Sequence, residues 1–193
     1  MLIWNPSKLT TKGKALLAKA QAGRCTIKIT KAQTGSGQYS SGEATDTRTS
    51  LKTPAQTLPI HSKEIQNGST LVLKVAITNK TSDTDVLKSG YEIREFGIFA
   101  QDPDDGEILY SIATASTSDY MPAYNGVIPS VISMSYYLEV ANASSVTIVT
   151  AGGLALPVSY THSSAASDVY KRQELSALQP RQQSEPETSR TTS

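Results

Sequence analysis

The chain has 193 residues, a net charge of +1 and a hydrophobic fraction of 38%, which suits one domain with an appendage. A single cysteine, Cys25, excludes an internal disulfide framework, and no segment reaches the roughly 20 apolar residues of a membrane span. With one cysteine and one histidine, His61, residues 1–156 cannot supply the four ligands of a dedicated zinc site. We expect a soluble protein that is made in the cytosol and binds no metal or cofactor.

The charges are unevenly distributed along the chain. Residues 43–156 hold seven basic and thirteen acidic groups, a net charge of −6. Residues 1–42, here called the basic arm, have no carboxylate and seven basic groups: Lys8, Lys12, Lys14, Lys19, Arg24, Lys28 and Lys31. The favoured interpretation is that the basic arm folds back on the acidic body, and the alternative is that it docks on an acidic partner.

The first predicted element is a helix that follows Pro6, with Ser7 or Thr10 as its N-cap and Gly23 just after its end. An apolar face with helical spacing is formed by Leu9, Leu16, Leu17 and Ala20. Gly13 lies inside this helix at a cost of about 1 kcal/mol relative to alanine. We interpret that glycine as the site of a close contact between the helix and a neighbouring element.

From Cys25 onward the apolar period changes to two, which predicts a half-buried strand with Ile27 and Ile29 on its inner face. Residues 34–57 are small and polar and predict a long loop, in which Gly35-Ser36-Gly37 forms a flexible turn. Residues 58–65 and 71–78 then predict two strands joined by a turn at Asn67-Gly68.

A second hairpin is predicted from residues 91–101 and 107–115, joined by the turn Asp102-Pro103-Asp104-Asp105-Gly106. Gly97 inside its first strand indicates a bulge or a close backbone approach. Residues 131–140 are predicted to form another strand, whose inner face carries Ile132, Met134, Tyr136, Leu138 and Val140. Residues 144–150 are predicted to form a last short strand. The expected fold is mainly β (α+β), with one N-terminal helix followed by an antiparallel β-sandwich or rolled sheet of about six strands.

The predicted domain covers residues 1–156, and residues 157–193 have too few large apolar groups to offset their ordering entropy. We therefore expect a disordered tail. Its segments 157–162 and 167–173 resemble translated sequencing adapter, which implies that the native product continues after about Leu156.

No catalytic, cofactor-binding or metal-binding residue is predicted. Cys25 follows a helix end rather than a helix N-terminus, so a packed core residue is expected rather than a nucleophile. His61 is expected at the surface or in a hairpin. The acidic turn 102–106 lacks the spacing of a calcium loop and leaves weak cation binding as a minor alternative. Nucleic-acid binding is not expected, because the only aromatic side chain near the lysines of the arm is Trp4.

Two segments carry a family resemblance. Leu9-Thr10-Thr11-Lys12-Gly13-Lys14-Ala15-Leu16-Leu17-Ala18-Lys19-Ala20 is similar to the opening helix of phage tail-collar fibre proteins, which a strand and a Gly-x-Gly turn follow, here Gly35-Ser36-Gly37. Ile93-Arg94-Glu95-Phe96-Gly97-Ile98-Phe99-Ala100 resembles a second strand of that family, which runs into the acidic turn and Gly106-Glu107-Ile108-Leu109-Tyr110.

The resemblance implies a virion structural protein rather than an enzyme. In such proteins this domain attaches the fibre to the baseplate or tail tip, usually as a homotrimer, and a distal part recognises the host. Assembly in the host cytoplasm and a place in the virion tail are expected, with neither nucleic acid nor membrane as a partner.

Two alternatives stay open at this point. A carbohydrate-binding β-sandwich would use exposed aromatic groups such as Trp4, Tyr120 and Tyr124. A capsule depolymerase would need a pair of carboxylates in a groove, for which Glu92, Glu95 and Glu139 are the candidates. The large aromatic side chains Tyr91, Phe96, Phe99, Tyr136 and Tyr137 would pack either in the core or in interfaces.

Overall fold

The computed structural model describes residues 2–66, 70–140 and 146–149, all within one compact unit, Met1–Pro157. The predicted turn at Asn67-Gly68 and the predicted tail 157–193 lie outside the described residues. The elements in chain order are β1 (Ile3–Trp4), β2 (Lys8–Leu9), α1 (Thr11–Gln21), β3 (Lys28–Gly35), β4 (Pro54–Leu58), β5 (Ser62–Gln66), β6 (Thr70–Thr78), β7 (Tyr91–Asp102), β8 (Gly106–Met121), β9 (Val131–Glu139) and β10 (Thr147–Ile148).

Helix α1 begins and ends where its capping residues predict. The Thr10 hydroxyl accepts a hydrogen bond from the Gly13 N–H at 2.9 Å, which satisfies one of the free donors at the helix start. Gly23 follows the helix with a φ of +70°, a left-handed conformation that glycine adopts without a steric penalty. Leu16 is fully buried. The expectation for Leu9 is wrong, because this residue pairs with Ser111 in β2 instead of lying on the helix.

The close contact expected at Gly13 is with strand β8. A Cβ atom added at Gly13 would lie 2.0 Å from the carbonyl oxygen of Tyr110, far inside van der Waals contact. The Thr10 N–H also donates to that oxygen at 3.0 Å. The start of the helix is therefore pressed directly against the backbone of β8.

The larger sheet has the strand order β1-β8-β7-β3-β10, with β2 also pairing with β8 and β4 with β3. The long hairpin of β7 and β8 forms its centre, and the turn between them places Gly106 at a φ of +76°. Strand β8 runs to Met121, beyond the predicted end at residue 115. Gly97 is close to the Leu109 side chain, 2.7 Å from a Cβ built on the glycine.

Two expectations about this sheet are wrong. The loop predicted over residues 34–57 is shorter, because β4 pairs antiparallel with residues 32–35 of β3. The last strand was expected to be antiparallel, whereas Thr147 of β10 pairs parallel with Lys28 of β3. Both pairings join residues far apart in sequence, so local alternation gives no signal for them.

The second sheet has the order β5-β6-β9 and is antiparallel throughout. Its inner face carries the residues predicted for β9, and Leu71, Leu73, Val75 and Ile77 of β6 lie opposite them in register. These side chains share one core with Leu16 of the helix and Phe96 of the larger sheet. The fold class is confirmed: the protein is mainly β, with one N-terminal helix, a curled main sheet and a second sheet.

Replacing Gly13 by alanine separates helix propensity from packing. Propensity alone predicts a gain of about 1 kcal/mol, but the new methyl group would overlap the Tyr110 carbonyl. We expect Gly13→Ala to lower the free energy of unfolding by about 2 kcal/mol, the usual scale of overpacking, in urea denaturation.

Ala15→Gly calibrates the propensity contribution at an exposed position of the same helix and should cost about 1 kcal/mol. A Gly13→Ala variant that is more stable than the wild type would contradict the close contact.

Candidate functional site

The basic arm forms ion pairs with the acidic body, as the favoured interpretation of the charge pattern predicts. Lys19 Nζ lies 2.7 Å from an Asp102 carboxylate oxygen and 2.8 Å from one of Asp104. Lys12 reaches Asp105 at 3.1 Å. Further pairs join Lys14 to Asp46 and Lys31 to Glu107. Four of the seven basic groups in the arm are therefore engaged within the chain itself.

The acidic turn after β7 is organised around Asp102, whose side chain is only 2% exposed. One of its carboxylate oxygens accepts hydrogen bonds from Lys19 Nζ and from the N–H groups of Asp104 and Asp105. Burial raises the pKa of Asp102, but these hydrogen bonds outweigh burial and leave the pKa below its usual value. The hydrogen bonds to Asp102 and Asp104 raise the pKa of Lys19. This turn is thus the anchor for the end of α1.

A fully buried carboxylate, that of Glu95 on β7, forms the second organising contact. Its Oε1 accepts hydrogen bonds from the N–H groups of Gly37 at 3.0 Å and Thr53 at 2.7 Å. Its Oε2 accepts from the Lys52 N–H at 2.8 Å and the Tyr39 hydroxyl at 2.5 Å. Four donors from the segment between β3 and β4, here called the 36–53 loop, therefore surround one negative charge.

Both glycines of the Gly35-Ser36-Gly37 turn are required by this arrangement. A Cβ atom at Gly35 would lie 2.4 Å from Glu95 Oε1, and one at Gly37 would lie 2.6 Å from the same atom. The prediction of a flexible turn is wrong, because Gly35 belongs to β3 and the Ser36 N–H donates to the Thr53 carbonyl. The Gly-x-Gly turn and the strand segment 93–100, two parts of the family resemblance, thus meet at one side chain.

The 36–53 loop also covers an apolar cluster. Leu51 of the loop packs with Phe99, Leu109 and Ile112, and Tyr39 lies beside them. Burial, followed by the hydrogen bond to Glu95, raises the pKa of Tyr39. Lys52 Nζ lies 5.2 Å from the centre of the Tyr39 ring, a cation–π distance. The loop is therefore held near both of its ends by hydrogen bonds to Glu95, and also by the burial of Leu51.

The role of Glu95 was missed in the sequence, where this residue was only a candidate catalytic carboxylate. A signal was present, since Glu95 alternates with Ile93 and Gly97 on one face of the predicted strand, and a carboxylate on a buried face must find hydrogen-bond donors. Both of its carboxylate oxygens accept hydrogen bonds from the protein, so Glu95 is not disposed as a catalytic base. Glu92 is half-buried on the same strand, and the side chain of Glu139 lies outside the described residues.

Two surface grooves flank the N-terminal segment. One, of about 800 Å³, lies between residues 4–9 and β9, and the other, of about 870 Å³, lies between the 36–53 loop and β8. Among the described lining residues each groove has a single carboxylate, Asp46 and Glu43 respectively. Both are paired with lysines, Lys14 and Lys52, so neither groove presents the two carboxylates that glycoside hydrolysis normally uses.

The aromatic groups proposed for sugar stacking have different environments. Tyr120 is 54% exposed. Trp4 is half-buried, with its ring centre 6.0 Å from that of Phe96 in an edge-on contact, and Tyr124 is half-buried beneath Lys80 Nζ. Of the large aromatic groups weighed between core and interface, Phe96, Phe99 and Tyr136 are buried, whereas Tyr137 is 55% exposed.

The remaining candidate residues lie apart from these contacts. The Cys25 thiol is free and half-buried, and it packs against the main core. His61 precedes β5 and is half-buried, and its buried Nδ1 atom has no hydrogen-bond partner in the described structure. Burial lowers the pKa of His61. Within residues 2–66, 70–140 and 146–149, no three His, Cys, Asp or Glu side chains are grouped to hold a metal ion.

Taken with the fold, these contacts define a structural domain in which charged and polar side chains fasten a helix and a loop to one sheet. The chain belongs to the phage tail-collar fibre protein family, whose N-terminal model matches residues 6–164. It is accordingly a structural component of a bacteriophage tail. Neither the curated proteins nor the solved structures contain a match. The family match ends at residue 164, eight residues beyond the predicted domain boundary at 156, and that boundary stays a prediction. In the described part of the chain, no helix is both long and apolar enough to cross a membrane.

Removing the charge of Glu95 should loosen the 36–53 loop. In Glu95→Gln, an amide N–H₂ group would face donors where an oxygen now accepts, and hydrogen bonds to a charged group are each worth roughly 1.5–3 kcal/mol. We expect the free energy of unfolding to fall by about 2 kcal/mol and amide exchange to speed up at Gly37, Lys52 and Thr53.

Glu92→Gln is the matched control on the same strand and should change stability by less than about 0.5 kcal/mol. Unchanged exchange of the three loop amides in Glu95→Gln would contradict the role given to this carboxylate.

The turn at Asp102 should make stability sensitive to acid. Because its folded pKa lies below the unfolded value of about 3.9, its contribution is present above that value and is lost as pH falls through the folded pKa. We expect Asp102→Asn to flatten the decline of thermal stability below about pH 4.

Asp105→Asn, in the same turn but at an exposed position, is the control and should retain most of that decline. Equal acid slopes for the wild type and Asp102→Asn would show that this carboxylate is not linked to folding.

Proposed function

We propose that this domain attaches a tail fibre to the baseplate or tail tip of the phage and so serves host adsorption indirectly. The observation that carries the proposal is the family match over residues 6–164. The contacts described above support it, because an attachment domain must keep its shape under load. The helix is pressed on β8 through Gly13, anchored through Lys19, and flanked by a loop that Glu95 holds.

In the described part of the basic arm, a few positive side chains are exposed and could contact a partner. Lys8, Arg24 and Lys28 are exposed, and none of them has an ion-pair partner in the described residues. Arg24 lies between α1 and β3, and Lys28 is the first residue of β3. We infer that this exposed charge meets an acidic surface of a baseplate or tail-tip protein, where rim charges chiefly raise the association rate.

A homotrimer is the assembly proposed for the domain, on the basis of the family resemblance. Apolar groups at the surface are compatible with protein contacts. Val127 and Ile128 are each 74% exposed, in a loop whose base is held by hydrogen bonds from the Asn79 side chain to Pro122 and from the Ser130 N–H to Asn79. Covering these two side chains in an assembly would remove their apolar surface from water.

The proposed role is structural rather than enzymatic, and assembly takes place in the host cytoplasm before the domain joins the virion tail. Support comes from the use of the described carboxylates: Glu95, Asp102 and Glu107 are engaged in contacts that hold the fold together. The carbohydrate-binding alternative has less support, because Trp4 packs on Phe96 instead of standing free.

Complementation of a phage that lacks this gene tests the attachment. We expect the full chain to co-purify with tails, and Lys28→Glu to lower its incorporation about tenfold, because reversing a rim charge weakens association with an acidic surface. The readout is the amount of the chain per tail in purified virions, at low and high salt.

Lys88→Glu, another exposed lysine without an ion pair in the described structure, is the matched control and should leave incorporation unchanged. Absence of the wild-type chain from purified tails would refute the attachment. Equal incorporation of the wild type and Lys28→Glu would refute the part assigned to the basic arm.

A further inference from the structure

The groove between the 36–53 loop and β8, here called the loop groove, lies at an irregular pairing of β7 with β8. The two residues of β7 that flank Arg94 pair with Thr114 and Asp119 of β8. Arg94 therefore corresponds to four residues of β8, 115–118, here called the β8 bulge. The bulge is held by its pairing with β1. A bulge of this kind interrupts regular pairing and redirects side chains, often beside a functional site.

Arg94 precedes Glu95 in the segment that resembles the tail-collar fibre family, and it lines the loop groove. Its side chain is half-buried. In the described structure its guanidinium forms neither an ion pair nor a hydrogen bond. A guanidinium has five N–H donors in a planar fork, and burial of such donors without acceptors is unfavourable. An anion that enters the groove would satisfy them, and a carboxylate matches the fork with two parallel hydrogen bonds.

The other charges along the groove also favour an anionic occupant. Lys8 lines the groove, is exposed, and has no ion-pair partner among the described residues. The one described carboxylate of the lining, that of Glu43, already contacts Lys52 Nζ at 3.1 Å and the Ser40 N–H at 3.0 Å. Two positive charges of the lining are therefore left for a ligand, although residues 43–156 together have a net charge of −6.

The rest of the lining fits an extended peptide better than a sugar. Sugar rings commonly stack on a free aromatic face. Tyr39 is the one aromatic residue among the described lining residues, and its ring centre lies 5.7 Å from Arg48 and 5.2 Å from Lys52 Nζ, so protein contacts already use this ring. Both walls have hydroxyl groups that can donate to and accept from a peptide backbone: Ser40, Ser41 and Thr45 on the loop, and Ser116, Thr117 and Ser118 on the β8 bulge.

We propose that the loop groove binds an extended acidic segment of the baseplate or tail-tip protein, with one carboxylate held by the Arg94 fork and another near Lys8. This inference rests on the attachment role proposed above and names the chemistry of the partner segment. The groove volume of about 870 Å³ lies within the roughly 300–1,000 Å³ of ligand sites, which leaves room for several residues. A partly desolvated, bidentate pair is stronger than an exposed one, so Arg94 contributes more than an exposed arginine such as Arg24.

Titration of the ¹⁵N-labelled full chain with a hexaglutamate peptide, followed by NMR, tests the site. We expect saturable shifts of the Gly37, Ser41 and Ser116 amides, and a dissociation constant at least tenfold higher in Arg94→Gln, which loses hydrogen bonds to a charged group. Arg94→Lys keeps the charge but loses the fork and should give an intermediate constant. Arg24→Gln makes the same charge change outside the groove and should alter the constant by less than about twofold. Hexaglutamine should not bind.

Three results would overturn the inference: no saturable shifts, shifts confined to residues outside the groove, or equal constants for the wild type and Arg94→Gln. Saturable binding of a trigalacturonate in the groove without binding of hexaglutamate would also overturn it, in favour of an anionic sugar. Amide spectra that match the wild type outside the groove show that the variants fold, and Arg94→Lys provides the comparison if Arg94→Gln does not.

Incorporation into purified tails separates this inference from the attachment role. Absence of the wild-type chain from tails would refute attachment itself. Presence of the wild type, together with equal incorporation of Arg94→Gln, would refute the groove while leaving attachment intact. We expect Arg94→Gln to lower incorporation at least tenfold, as it weakens the peptide.

Discussion

The burial of one negative charge at Glu95 constrains much of the larger sheet. A carboxylate out of contact with water is stable only when hydrogen-bond donors replace its hydration. The 36–53 loop supplies three backbone N–H groups and one hydroxyl. Those donors can reach Glu95 only because residues 35 and 37 are glycines. The path of the loop, the pairing of β4 with β3 and the cover over Phe99 therefore depend on one another.

The helix is fixed by a different combination of forces. Close packing of Gly13 on the Tyr110 carbonyl sets the position of the start of α1, and the ion pairs of Lys19 with Asp102 and Asp104 set its far end. A surface ion pair alone contributes little. Here Asp102 is buried and also accepts two backbone N–H groups, so its geometry is held by the turn. Four lysines of the basic arm thus stabilise the fold by pairing with carboxylates of residues 43–156.

The sequence predicted those parts of the fold that depend on local pattern. Period-two alternation located β6, β7 and β9, and the glycines at 13, 23 and 106 indicated a close contact, a helix end and a turn. Strands β1, β2 and β10 have two residues each and exist only through pairing with β8 or β3, which no local pattern encodes. For the same reason Leu9, which continues the apolar spacing of the helix, was placed on α1 although it pairs with Ser111.

The site was predicted less completely than the fold, and Glu95 shows why. The local sequence around it, Arg94-Glu95-Phe96, offers a polar residue on a strand, which is compatible with catalysis, a surface position or a buried hydrogen-bond centre. Only the long-range return of residues 37, 52 and 53 decides among these. The structure therefore assigns these carboxylates a role in folding: Glu95, Asp102 and Glu107 all accept hydrogen bonds from donors within the chain.

Because most charged groups of the arm pair within the chain, unpaired charge is confined to a few positions of its surface, which matters for assembly. Where carboxylates and lysines pair with each other, little net charge remains to repel another protein. By contrast, Lys8, Arg24 and Lys28 are exposed and have no ion-pair partner among the described residues. A partner that recognises the domain by charge would therefore meet these exposed basic groups and not the paired ones. Such recognition depends on salt, because screening weakens the interaction between exposed charges.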